Sequence, residues 1–286
     1  MLTKRLSALL LFLVGFCLLE SCELVPIAPT SACGSGAPTG SHPKATAYQA
    51  VLNKYVRRGM PGVSVSIQDA QGTWTGAAGK ADIAKNVPMQ SCHLAKIASV
   101  TKMCVATLTL MLVEEGKLSL DDKLTRWLPG DVTDRLPNAG RITLLHLLAH
   151  QTGLYNFTTD NDFYLSLINY PNRPWTHLDL LAFVFDKPAA FRPGASAAYS
   201  NTNTLLVSMV IERATGRSHA ELLRERILGP LGMNDTYYQG HDKLPKNRVA
   251  QGYSDIYNNN TIVNLSSYNS GSGNGFSGLL STVTDL

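Results

Sequence analysis

The chain has 286 residues, 44% of them apolar, and a net charge of +4 at neutral pH. That apolar share supplies a sizeable core and excludes wholesale disorder. The charge is small and dispersed, with no cluster of Lys and Arg, which sets aside nucleic-acid binding.

The first residues read as an export signal. Lys4 and Arg5 precede the apolar run Leu6–Leu19. The run is too short for a membrane span, which takes about 20 residues, and has the layout of a secretory signal. We assign the signal to 1–21. Its end, Leu19-Glu20-Ser21-Cys22, resembles a bacterial lipoprotein signal and makes Cys22 the expected lipidation site, with Glu20 as a departure from that pattern. An ordinary signal peptide cut nearby is the alternative. Residues 22–43 are rich in Pro, Gly, Ser and Thr and read as a flexible tether, with the globular domain at 44–286. Beyond Cys22, the odd set Cys33, Cys92 and Cys104 is no disulfide framework. Cys104 reads as a small core residue, and a Cys92–Cys104 bridge stays open.

Tyr48, Val51, Leu52, Tyr55 and Val56 recur with helical spacing and predict an amphipathic helix that stops at Gly59. The period then changes to two at Val63, Val65 and Ile67, and a turn at 69–72 leads into Thr73-Trp74-Thr75. This predicts a hairpin with a helix laid on its sheet. Residues 97–113 are apolar nearly all round and predict a buried helix ended by Gly116. Lys102 is the one charge inside it, and Ser99 lies one turn earlier on the same face. A lysine desolvated there has a lowered pKa and can take the proton of the neighbouring hydroxyl, turning Ser99 into a nucleophile. The structural alternative is a lysine that snorkels outward or pairs with a carboxylate. Ser41-His42-Pro43-Lys44 repeats the spacing, but in the tether.

Residues 97–102 (Ile-Ala-Ser-Val-Thr-Lys) and 112–122 closely resemble the penicillin-recognising serine hydrolases. The nearest group holds class C β-lactamases, D-alanyl-D-alanine carboxypeptidases and β-lactamase-like esterases. Residues 147–154, 191–194 and 227–233 match as well. The resemblance implies an α/β fold of the β-lactamase/transpeptidase type, an antiparallel sheet flanked by helices plus an all-helical domain at about 110–216. The site would lie in the cleft between them. It also implies a Tyr-x-Asn motif. Tyr199-Ser200-Asn201 fits by position, ahead of the apolar helix 205–211, whereas Tyr170-Pro171-Asn172 and Tyr257-Asn258-Asn259 do not. On this resemblance Ser99 attacks a carbonyl, Lys102 is its base, Tyr199 relays a proton and Asn201 binds substrate. A plain helix N-cap is the alternative for Asn201.

His146 and His150 have the i, i+4 spacing of a zinc pair, but the Glu of His-Glu-x-x-His is absent, so no metal and no cofactor is expected. No Gly-x-Ser-x-Gly elbow occurs either. The family's third motif, Lys/His-Thr/Ser-Gly, is missing, and residues 278–286 resemble the segment that opens its next helix. Thr282 and Asp285 have the matching cap spacing. The expectation is that strands beyond Leu286 are missing here. Expected partners are a small-molecule, ester or peptidoglycan-peptide substrate, with no nucleic acid and membrane contact only through the lipid. The expected activity is D-alanyl-D-alanine carboxypeptidase-like. A β-lactamase or esterase on the same scaffold, or a non-catalytic binding protein, is the alternative.

Overall fold

The computed structural model describes residues 30–34, 40–245 and 247–286. The signal 1–21, Cys22 and the first part of the tether lie outside the described residues. Helix α1 (Ala45–Arg57) precedes the hairpin β1 (Gly62–Asp69) and β2 (Gly72–Asp82), with β3 (Val87–Pro88) against β2. Asp69 accepts from Gln71 N at 2.7 Å inside the turn, and Gly72 takes a φ of +134°, which only glycine adopts freely. Tyr48 of α1 packs on Trp74 of β2 with ring centroids 5.4 Å apart, so the predicted helix lies on the predicted hairpin.

Strand β4 (Ala95–Lys96) leads through a 3₁₀ turn (Ala98–Val100) into α2 (Thr101–Glu114). Short helices follow: α3 (Leu124–Trp127), α4 (Gly130–Thr133), α5 (Leu144–Leu148), α6 (Asn161–Asn169) and α7 (His177–Leu181). The long α8 (Asn201–Thr215) ends at Gly216, whose φ of +66° closes the helix. Helix α9 (His219–Leu223) continues into a π turn at Arg224–Leu228. Leu108 and Leu112 of α2 join Leu205, Leu206 and Ile211 of α8 and Leu223 of α9 in the apolar core of the helical lobe. The chain then returns to sheet as β5 (Thr236–Tyr238), β6 (Tyr253–Ser254), β7 (Val263–Asn264) and β8 (Leu279–Ser281). Strand β8 lies between β4 and β5, antiparallel to both.

Three sequence readings are revised. Thr30 is buried and donates to Val249 O at 2.6 Å, while Ser31 N donates to Asn247 O and Cys33 N to Gln90 Oε1. Residues 30–34 therefore dock on the domain, and the tether reading does not extend to them. Cys92 pairs with Cys33, not with Cys104, which is free. Helix α2 buries one face only: Met103 is 69% and Leu110 50% exposed, because no described element packs on that side. Near the last residues, the Asp285 carboxylate accepts from Asp235 N at 2.7 Å and Thr236 Oγ1 at 2.9 Å, holding this segment beside β5.

Candidate active site

The β4–β8 pairing brings two distant segments together at Ser99. Ile97 N donates to Leu279 O at 3.0 Å, and Leu279 N donates to Thr101 Oγ1 at 3.1 Å. Thr101 Oγ1 donates in turn to Ala98 O at 2.7 Å. Ala98 has a φ of +48°, a left-handed conformation that costs a non-glycine residue about 1 kcal/mol or more. The resulting turn holds Ser99 exposed at the head of α2.

Ser99 Oγ lies 2.7 Å from Tyr199 Oη and accepts from Lys102 Nζ at 3.2 Å. Lys102 Nζ also donates to Asn201 Oδ1 at 2.8 Å and to Phe276 O at 2.6 Å. Three acceptors thus surround an ammonium that carries three N–H groups. Burial holds the Lys102 pKa below the usual lysine range, against an opposing hydrogen bond and attraction from Tyr199. Nζ also stands 4.9 Å above the Tyr199 ring, close enough for a cation–π contact. Tyr199 is 53% exposed, so Ser99 and the phenol face solvent while the lysine sits beneath them.

Asn201 is the first residue of α8, and Ser200 occupies the cap position, so the plain N-cap alternative does not hold. Its Oδ1 accepts from Lys102 and from Tyr199 Oη at 3.3 Å. Its Nδ2 donates to Thr158 Oγ1 at 2.9 Å and to Asn156 Oδ1 at 3.3 Å. All of its side-chain donors and acceptors are engaged with protein. These contacts tie Asn201 to both Lys102 and Tyr199.

The two histidines of the rejected zinc pair have separate partners. His146 Nδ1 accepts from Thr143 N at the head of α5. His150 leaves that helix with a φ of +55° and packs against Tyr199, the rings tilted by 36° with centroids 4.7 Å apart. Its Nδ1 accepts from Ser200 N at 3.3 Å. Burial, aided by the Lys102 charge, lowers its pKa. The sequence reading did not single out Asn156, Thr158 or Phe276. Phe276 acts through its carbonyl, which no residue type announces; the nearest signal was the run of glycines at 271, 273, 275 and 278. Gly275 has a φ of +86°, and a Cβ there would lie 2.7 Å from Ser208 Oγ, so the loop that delivers Phe276 O requires glycine at this position.

A serine hydroxyl within reach of a half-buried lysine and a tyrosine, between a helical lobe and an antiparallel sheet, defines the serine-hydrolase class of site. Residues 45–286 match the Beta-lactamase family, and the chain belongs to it. It is 33% identical over 206 residues to Esterase EstB of Burkholderia gladioli, covering 70% of this chain and 51% of that one. It is 30% identical over 155 residues to the D-alanyl-D-alanine-carboxypeptidase/endopeptidase AmpH of Escherichia coli K12, covering 54% and 39%. The D-amino acid amidase of Ochrobactrum anthropi SV3, solved with L-phenylalanine amide, superposes with a TM-score of 0.73 at 31% identity. That match covers 84% of this chain and 67% of the amidase. The chain spans about two fifths to one half of the curated relatives named here.

Proposed function

We propose that this is an exported serine hydrolase that works through an acyl-enzyme on Ser99, with D-alanyl-D-alanine carboxypeptidase-like specificity. The observation that carries the reading is Ser99 Oγ held between Lys102 Nζ at 3.2 Å and Tyr199 Oη at 2.7 Å. Ser99 Oγ bonds to the carbonyl carbon while its proton passes to the Lys102–Tyr199 pair. The C–N or C–O bond then breaks, and the leaving group takes that proton from the pair. Water hydrolyses the acyl ester and restores the Ser99 hydroxyl. Asn201 holds Lys102 and Tyr199 in place. Likeness to AmpH and to a D-amino acid amidase supports an amide carbonyl beside a D-configured residue. The Cys33–Cys92 disulfide supports an oxidising compartment and hence export, with Cys22 as the proposed lipid anchor.

Incubation with a fluorescent penicillin followed by peptide mapping tests the nucleophile. An adduct on Ser99 that is lost in Ser99→Ala is the expected result; an adduct on another serine overturns it. Release of D-alanine from a D-alanyl-D-alanine peptide, set against cleavage of a nitrophenyl ester, tests the specificity. The EstB match favours the esterase as the second reading, and faster turnover of the ester with no D-alanine release would establish it.

A further inference from the structure

Away from Ser99, three side chains of the helical lobe converge. His177 opens α7, Glu212 lies near the end of α8 and His219 opens α9. A ring nitrogen of each histidine and a carboxylate oxygen of Glu212 all lie within 4.8 Å of one another. His219 Nδ1 is 2.6 Å from Glu212 Oε1, and the two imidazole centroids are 6.0 Å apart. His177 and Glu212 line a cavity of about 720 Å³, with Asp131, Met209, Arg213 and Ser218 around them.

The chemistry of the set is that of a metal site. Two imidazoles and one carboxylate are the donors that borderline cations such as Zn²⁺ prefer, and three protein ligands leave a fourth position open. We propose that His177, Glu212 and His219 bind a divalent transition metal of the zinc class, with the open position facing the cavity. Tetrahedral Zn–N and Zn–O bonds place neighbouring ligand atoms about 3.4 Å apart. The His219–Glu212 pair, 2.6 Å apart, must open slightly, and His177, within 4.8 Å of both, must close by at most about 1.4 Å to reach that geometry.

The surroundings already hold the ligands as metal ligands are held. Ser208 Oγ donates to Leu205 O at 2.7 Å, so at 3.0 Å it accepts from His177 Nε2–H, leaving the lone pair of that ring on Nδ1. On the other ring, Tyr238 Oη accepts from Gly275 N at 2.9 Å and lies 3.0 Å from His219 Nε2, where it can accept from Nε2–H once a metal takes the lone pair of Nδ1. These second contacts fix both rings, as outer-shell partners do at metal centres. Tyr238 also ties the cluster to the loop whose next residue, Phe276, receives Lys102.

The test is metal binding by the chelator-treated, tag-free protein, read without any serine chemistry. Titration with Zn²⁺ alone should give one equivalent retained through gel filtration. Co²⁺ alone should give the visible absorption of a four-coordinate centre, with X-ray absorption showing two imidazole ligands. Glu212→Gln and His177→Asn should each weaken Zn²⁺ binding by at least 10-fold while the far-ultraviolet circular dichroism is unchanged. Failure to retain metal overturns the proposal. So does unchanged affinity in both folded variants, or a bound cobalt with fewer than two imidazoles. The spectroscopic count uses unaltered protein, so it decides the matter even where a variant misfolds. Because none of these readouts involves Ser99, their failure and failure of acylation are separate results.

Discussion

If Lys102 and Tyr199 act on Ser99 as one unit, removing both should cost less than the two single losses multiplied. Lys102→Ala deletes the 3.2 Å contact to Ser99 Oγ, and Tyr199→Phe deletes the 2.7 Å contact to the same oxygen. A positioned acid or base is worth about 10²–10⁴ in rate, or about 3–5 kcal/mol of barrier. Independent groups would therefore lose about 10⁴–10⁸ together, whereas groups sharing one proton path lose little more than either alone. The assay is stopped-flow acylation by a chromogenic penicillin or nitrophenyl ester, with the Ser99 adduct counted by mass spectrometry. Lys102→Ala also strips the donor from Phe276 O, on a buried residue, a loss of about 1–3 kcal/mol in stability, so thermal midpoints must accompany the rates. Multiplicative losses in folded variants would refute a shared unit.

Three further outcomes follow from the same contacts. Burial lowers the Lys102 pKa, and only neutral lysine accepts a proton, so acylation should rise with pH and level off below the ordinary lysine value of 10.5. A limb still rising there in the pH–rate profile would contradict this. Asn156→Ala, which removes the acceptor of Asn201 N and one of the two acceptors of its Nδ2 without touching Ser99, should lower kcat by about 10-fold with KM little changed in steady-state assays. Cys33→Ser should lower the unfolding free energy in urea by about 4 kcal/mol, since the Cys33–Cys92 bridge closes a loop with a sequence separation of 59. Dithiothreitol should produce the same loss in the parent protein.

What could be read in the sequence follows the range of each interaction. Ser99 and Lys102 lie within one helical turn, so spacing and the lone charge in an apolar run were enough to pair them. Tyr199 came through resemblance to a family motif, and the structure brings it to the nucleophile from 100 residues away. Asn201 shows the limit: its residue type was legible, but its partners Lys102, Asn156 and Thr158 come from two other segments that only tertiary packing joins to it. Cys33 sat in chain with the composition of a linker, so the bridge to Cys92 carried no local signal. The exposed face of α2 carried none either, since an apolar side chain reads the same whether or not a neighbour covers it. His177, Glu212 and His219 sit on three helices and share no spacing a motif would capture.

The contacts at Lys102 are unequal, and that inequality gives the proposed proton path its direction. Nζ reaches Phe276 O at 2.6 Å and Asn201 Oδ1 at 2.8 Å but Ser99 Oγ only at 3.2 Å. In the neutral amine the two shorter bonds hold the remaining hydrogens, and the lone pair is left facing Ser99. The serine hydrogen can then turn from Tyr199 toward Nζ, and Tyr199, 2.7 Å away, can donate to the same Oγ in its place. In the ammonium form the directions reverse. Lys102 donates to Oγ, the serine hydrogen points to Tyr199, and the phenol donates to Asn201 Oδ1 at 3.3 Å. One proton on Nζ thus sets the direction of every hydrogen bond around the nucleophile. The loop at Gly275 and Phe276 belongs to the catalytic apparatus on this reading, because its carbonyl is one of the two acceptors that decide which N–H the lysine gives up.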